Sequence, residues 1–148
     1  MRSHLATIFL VLLVFQSNAL SQECAQTIEG NDLIQYNLSE IRVDPDCEEF
    51  TLTLRHTGQL PANIMGHNWV LTTSADYMPV ASSAQAVGAP NYLPENDPRI
   101  IAATNMIGGG QESSVTFNIS ALEQSEDYTY FCSFPGHNVL MNGRLIVE

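Results

Sequence analysis

Apolar and polar positions alternate in short runs along most of the chain. Phe50, Leu52 and Leu54 interleave with Thr51, Thr53 and Arg55, and Val115, Phe117 and Ile119 interleave with Thr116 and Asn118. Briefer runs of the same kind occupy 34–38, 41–43, 69–73, 128–132 and 144–147. Successive side chains of a strand face opposite ways, so period-two runs rich in Val, Ile, Thr and aromatics predict strands with one buried face. Gly30-Asn31-Asp32, Asp44-Pro45-Asp46, Thr57-Gly58 and Gly108-Gly109-Gly110 supply turns between them. Many short strands so punctuated predict an all-β fold, an antiparallel sandwich. The triple glycine reads as a tight hairpin turn rather than a phosphate loop, because no Gly-Lys-Ser/Thr follows and no βα unit surrounds it. One segment breaks the pattern. Asp76 to Gly88 is rich in Ala and Ser, with Pro79 early and Gly88 at its end, which predicts one short helix. The stretch from Asn91 to Arg99, carrying Pro94 and Pro98, reads as a surface loop.

The chain begins with a different pattern. Arg2 precedes an almost wholly apolar run from Leu5 to Phe15, and small residues follow at Ala19 and Ser21. That layout predicts a secretory signal peptide over residues 1–21, cleaved after Ser21. Eleven residues are too few for the ~20 of a membrane-spanning helix, and Gln22 and Glu23 make a lipid anchor on Cys24 a poor fit. Residues 22–148 are then expected to form a single exported domain, long enough to bury a real core.

Charge narrows the partners. The formal charge is −11, there is no lysine, and removal of Arg2 with the leader takes it to −12. Nucleic acid is excluded, since phosphate binding requires cationic surface. An acidic surface instead steers toward basic proteins at a rate that falls with salt. The acids are unevenly spread. Asp44, Asp46, Glu48 and Glu49 crowd around Cys47, whereas 60–75 and 128–143 contain no charged side chain.

The three cysteines are Cys24, Cys47 and Cys132. Export favours one disulfide, and Cys24 with Cys47 is the expected pair, since both flank early strands and neither has a histidine close in sequence. Cys132 remains, in Tyr128-Thr-Tyr-Phe-Cys132-Ser-Phe-Pro-Gly-His137-Asn-Val-Leu-Met141. Singly, each potential donor has an ordinary explanation as a buried thiol, a turn histidine or a core methionine. Together, thiolate, imidazole and thioether on one charge-free loop predict a metal site. A soft S/N set favours copper over magnesium, calcium or manganese, and trigonal His₂Cys with a weak axial Met is the donor set of blue-copper centres. The second histidine must come from elsewhere. His67, just before a strand in an uncharged stretch, is preferred to His56, which ends the Phe50–Arg55 strand. A catalytic Cys132–His137 pair is the competing reading. It lacks an orienting group and gives Met141 no role.

The segments Asn63-Ile-Met-Gly-His-Asn-Trp-Val-Leu71 and Phe131-Cys-Ser-Phe-Pro-Gly-His-Asn-Val-Leu-Met141, with Cys24 and Cys47, resemble the azurin branch of the cupredoxin family over Glu23 to Glu148. That resemblance implies a Greek-key β-sandwich with one short helix in a flap outside it. It implies one type 1 copper ion held by His67, Cys132 and His137, with Met141 as weak axial ligand and the Gly66 carbonyl opposite. It places Asn68 and Phe134 around the ligands, Trp69 in the core and His56 as a partly buried histidine outside the ligand set. It further implies an apolar docking patch of Ile34, Leu60, Pro61, Ile64, Met65, Phe134, Pro135, Gly136, Val139 and Leu140 around His137. The function implied is periplasmic electron transfer by a monomer that is not an enzyme. Its partners would be redox proteins such as c-type cytochromes, a copper or haem reductase, or an amine dehydrogenase. A copper chaperone or storage protein of the same fold is the alternative. Thr57-Gly58 stands where many relatives carry Pro-Gly, Ala103 where some carry a surface histidine, and the helix region is one residue shorter. These departures, with the missing lysines, bear on partner choice and pH response.

Overall fold

A computed structural model describes residues 24–148. The expected signal peptide, 1–21, lies outside the described residues. Two sheets face each other. The first contains β1 (Ala25–Asn31), β2 (Gln35–Tyr36), β4 (Glu49–His56) and β7 (Glu112–Asn118), in the order β2-β1-β4-β7. The second contains β3 (Glu40–Val43), β5 (Val70–Thr73), β6 (Ala102–Ala103), β8 (Tyr128–Phe131) and β9 (Asn142–Val147), in the order β3-β9-β8-β5-β6. Alternation in sequence becomes alternation in burial. Phe50, Leu52 and Leu54 point inward from β4, and meet Leu71, Tyr130 and Leu145 of the other sheet across the fully buried Trp69. Each aliphatic side chain so buried contributes ~1.5–3 kcal/mol. The outward residues pair laterally instead, Thr51 with Thr116 at 2.9 Å and Thr53 with Ser114 at 2.8 Å.

The sandwich is present, but it is mixed rather than antiparallel. β1 runs parallel to β4, and β3 parallel to β9. Local alternation fixes which face is buried and carries no information about the direction of a partner brought in by a long connection. The triple-glycine turn is likewise not a hairpin. It links β6 and β7, which belong to different sheets, and Ile107 just before it bridges to His67. The expected strand over 34–38 shrinks to Gln35–Tyr36, with Ile34 at φ 59°. Ile119 opens a 3₁₀ turn instead of closing β7. A one-turn helix, α1 (Ala62–Met65), was not anticipated.

The helix expected over 76–88 is α2 (Tyr77–Val87), with Asp76 and Gly88 as its caps. It lies outside the main core. Val80 and Ala81 pack on Val70 and Phe131 in a small cluster of their own. Cys24 and Cys47 form the expected disulfide, closing a separation of 23 residues and stabilising the fold by roughly 2–4 kcal/mol.

The loop after α2 is tied down by one ion pair. Arg99 donates to both carboxylate oxygens of Asp97, at 2.8 and 2.5 Å, and to Ser83 of α2 at 3.3 Å. The guanidinium beside it, then the Arg99 backbone N–H, hold the Asp97 carboxyl down at about 2, from an ordinary 3.8. A carboxyl whose folded pKa is depressed adds stability above its unfolded value, and that stability is lost as pH falls through the folded one. The melting temperature of Asp97→Asn is therefore expected to lie below that of the unsubstituted protein at neutral pH. The gap should close between about pH 4 and about pH 2, as thermal melts across that range would show.

Candidate metal centre

Two loops at one end of the sandwich bring the donors together. The first precedes β5. His67 exchanges two backbone hydrogen bonds with Ile107, at 3.0 and 2.8 Å, which fixes its main chain. The His67 Nε2–H donates to the Asn31 carbonyl at 2.9 Å, leaving Nδ1 as the free nitrogen. Gly30 makes this approach possible, since a Cβ there would lie 2.8 Å from His67 Cδ2 and 3.2 Å from Met141 Cε. The second loop leaves β8 at Cys132. The Cys132 N–H donates to the Met141 carbonyl at 3.0 Å, and the Met141 N–H to the His137 carbonyl at 2.7 Å. Gly136, at φ 81°, supplies the left-handed turn that folds the loop back.

The Cys132 sulfur lies 3.9 Å from His67 Nδ1, 3.7 Å from His137 Nδ1 and 3.8 Å from the Gly66 carbonyl oxygen. All three side-chain donor atoms fall within 4.8 Å of one another. These spacings test the fit to a metal. A sulfur bond of about 2.3 Å and a nitrogen bond of about 2.0 Å, meeting at about 120°, put S and N roughly 3.7 Å apart. The pairs therefore match a trigonal His₂Cys centre. His67, Cys132 and Met141 are fully buried, and His137 is 4 % exposed.

Electrostatics follow from burial. Desolvation pushes the Cys132 thiol up to about 12, against the pull of the Asn68 and Phe134 backbone amides. Burial lowers His67, and burial followed by the neighbouring His67 lowers His137 to about 4. Both imidazoles are neutral near pH 7 and free to donate. The thiol proton is what an entering cation must displace.

Asn68 couples the two loops. Its side chain donates to Ser133 Oγ at 2.8 Å and accepts from the Ser133 N–H at 2.8 Å, both buried. The Phe134 ring lies 4.6 Å from that of His137. His56 is outside the cluster and fully, not partly, buried. Its Nδ1 accepts from the Gly58 N–H at 3.0 Å and its Nε2–H donates to the Met65 carbonyl at 2.8 Å, so backbone occupies both nitrogens. The ring stacks on His67 at 4.3 Å.

Around this end, Leu60, Pro61, Ile64, Pro135, Gly136, Val139 and Leu140 are exposed, while Ile34, Met65 and Phe134 are half-buried. Sequence reading missed two neighbours. Leu33, 73 % exposed, shares the turn of Asn31, and Met78, exposed on α2, has its sulfur 3.9 Å from Asn138 Nδ2. An apolar residue inside a polar turn was the available signal for Leu33.

A buried cysteine sulfur between two imidazole nitrogens, at one end of a two-sheet β-sandwich, defines a cupredoxin-type blue-copper protein. Residues 22–148 match the model of "Copper binding proteins, plastocyanin/azurin family". Azurin of Pseudomonas aeruginosa is 45 % identical over 139 residues, covering 93 % of this chain and 94 % of its own. Azurin of Bordetella pertussis is 46 % identical, with 91 % of each chain covered, and that of Achromobacter denitrificans 48 % identical, with 95 % of each. The chain belongs to the plastocyanin/azurin family of copper-binding proteins. Its cofactor is one copper ion.

Proposed function

We propose that this protein is a periplasmic carrier of single electrons, exported by the 1–21 leader and acting between redox proteins. In this reading His67, Cys132 and His137 would hold the ion, with the Met141 thioether and the Gly66 carbonyl as further, weaker contacts. The bound copper supplies a one-electron couple. The protein supplies rigidity. His67 is held through Asn31 and Ile107, Cys132 through Met141, and the two loops through Asn68 and Ser133. Fixed donors keep the geometry from rearranging with oxidation state.

The observation that carries the reading is the burial of the whole donor set, with His137 no more than 4 % exposed. Catalytic metal sites keep a position open for water or substrate. Here the donors are enclosed in protein, which favours exchange without a bond to substrate, and so a carrier rather than an enzyme. The apolar residues around His137 favour a docking face, because contiguous exposed apolar surface marks interaction sites. A partner seated there brings its own redox centre close to the His137 edge. The net negative charge favours a basic partner such as a c-type cytochrome, a copper or haem reductase, or an amine dehydrogenase.

Stopped-flow exchange with a cytochrome c tests this reading, with reversible voltammetry of the copper-loaded protein alongside. Met65→Lys puts an ammonium into the face, and desolvating it costs several kcal/mol unless it is paired. The exchange rate is expected to fall by roughly tenfold or more, with the potential and spectrum little changed. An unaltered rate would remove the docking face from the proposal, and irreversible voltammetry would remove the carrier function.

A further inference from the structure

A cleft of about 440 Å³ opens beside the metal centre, with Asn68 in its wall, and neither the ligand set nor the docking face uses it. Leu93, Ile100, Ala103 and Met106 give it apolar sides, and the exposed Asn91, Glu95, Asn96 and Asn105 give it a polar rim. None of those four rim side chains has a hydrogen-bonding or charged partner among the described residues. The cleft is continuous with the face around His137. A second hollow, of about 250 Å³, shares Asn91 and Met106 with it and reaches Ala62 and Asn63 of α1, next to Ile64. Tyr92, in the wall of that hollow, packs 5.2 Å from the Phe134 ring, which lies 4.6 Å from that of His137.

Charge singles out Glu95. Among the described residues every arginine already faces a carboxylate: Arg42 meets Glu40 and Glu148, Arg55 meets Glu29 and Glu112, Arg99 meets Asp97, and Arg144 meets Asp127. At the ligand end, Asp32 is bound by the Gln59 and Leu60 N–H groups. The carboxylates of Asp46, Glu48, Glu49, Glu123 and Glu126 have no partner, but they belong to the far end of the strands, around Cys47 and the turn before β8. Glu95 is therefore the one unpartnered carboxylate at the ligand end among the described residues, and it stands on the cleft.

We propose that this cleft receives a lysine or arginine side chain from the redox partner, and that Glu95 selects it. The methylene stem lies along Leu93, Ile100, Ala103 and Met106, and the charged head meets the Glu95 carboxylate and the carboxamide oxygens of the rim. Other occupants fit worse. An anion would meet Glu95 with no free cation beside it, and an apolar side chain would strip water from four polar groups without replacing their hydrogen bonds. The seat also supplies what an apolar face lacks. Burial of apolar surface is non-directional, whereas one cation held to the side of His137 fixes the rotation of the partner on the docking face.

The inference rests on the carrier function proposed above, and its test separates the two. Copper-loaded variants are compared in stopped-flow exchange with cytochrome c at about 0.1 M ionic strength, where the Debye length is about 10 Å. Glu95→Gln lowers the second-order rate about threefold or more, as loss of a partly shielded ion pair should. Glu48→Gln changes the net charge equally at the far end, and leaves the rate within about 1.5-fold. Ala103→Leu fills the cleft without altering charge and lowers the rate by a factor like that of Glu95→Gln. Asn105→Asp adds a carboxylate at the same opening and raises the rate about threefold, a gain that no folding defect can mimic. Equal falls in Glu95→Gln and Glu48→Gln, an unaltered rate in a folded Ala103→Leu, or no gain in Asn105→Asp overturns the inference. If exchange proceeds and responds to Met65→Lys but not to the cleft variants, the inference alone falls. If the unsubstituted protein exchanges no electrons with cytochrome c, the carrier function fails and takes the inference with it.

Discussion

Cys132→Ser is expected to abolish the intense visible absorption of the copper-loaded protein and to weaken copper binding by more than about 100-fold. Removing a mere supporting partner of a metal ligand already costs 10–100-fold, and here the ligand itself is lost. A serine hydroxyl is a hard donor with a pKa far above that of a thiol, so it offers neither the soft anion nor the geometry that copper selects. The fold itself should survive. The substitution is nearly isosteric, and the new hydroxyl has the Gly66 carbonyl oxygen nearby, now 3.8 Å from the sulfur, as an acceptor. The melting temperature of the metal-free variant should stay close to that of the metal-free parent, while the copper-dependent rise in melting temperature shrinks. A Cys132→Ser protein that remained blue would place the thiolate elsewhere. With Cys24 and Cys47 joined in a disulfide, Cys132 is the free thiol among the described residues.

Much of the centre was legible because its donors are chemically rare and closely spaced. Cys132 and His137 sit on one loop, with Met141 just beyond them, and that loop is a local object that spacing describes well. His67 was harder, since nothing local links residue 67 to residue 132. The preference over His56 rested on context, and the structure now supplies a physical reason. Both nitrogens of His56 are occupied by backbone groups, whereas His67 keeps Nδ1 free. The inward faces of β4 and β9 followed from alternation. Strand direction did not, because the parallel pairs β1·β4 and β3·β9 depend on where long connections return. Strand β1 was missed because Ala25, Gln26 and Thr27 are all exposed, so the sequence lacks alternation there. The support around the ligands was the least legible part. Gly30 and the Asn31 carbonyl come from β1 of the other sheet, and single residues that act by close approach leave no periodic trace.

Asn68→Ala is expected to be the most damaging change that leaves every copper donor in place. It removes two buried hydrogen bonds between the ligand loops, each 2.8 Å long. It also orphans the Ser133 N–H, which is 2 % exposed at the residue level. An unmade buried donor costs roughly 1–3 kcal/mol and a lost hydrogen bond about 1 kcal/mol, so the total is about 2–4 kcal/mol. For a domain of this size that lowers the melting temperature by on the order of 10 °C. The second consequence concerns copper. With the clamp gone, the His67 and Cys132 loops are free to separate, and copper retention against a chelator should fall about 10–100-fold, the range for outer partners of metal ligands. Ser133→Ala removes the hydroxyl arm but keeps the amide arm, so its effect should be the smaller of the two. In the double variant the two losses should fall short of adding, as expected for residues in direct contact. Strict additivity in that cycle, measured by melts and chelator competition, would show that Asn68 acts on the centre by some route other than its grip on Ser133.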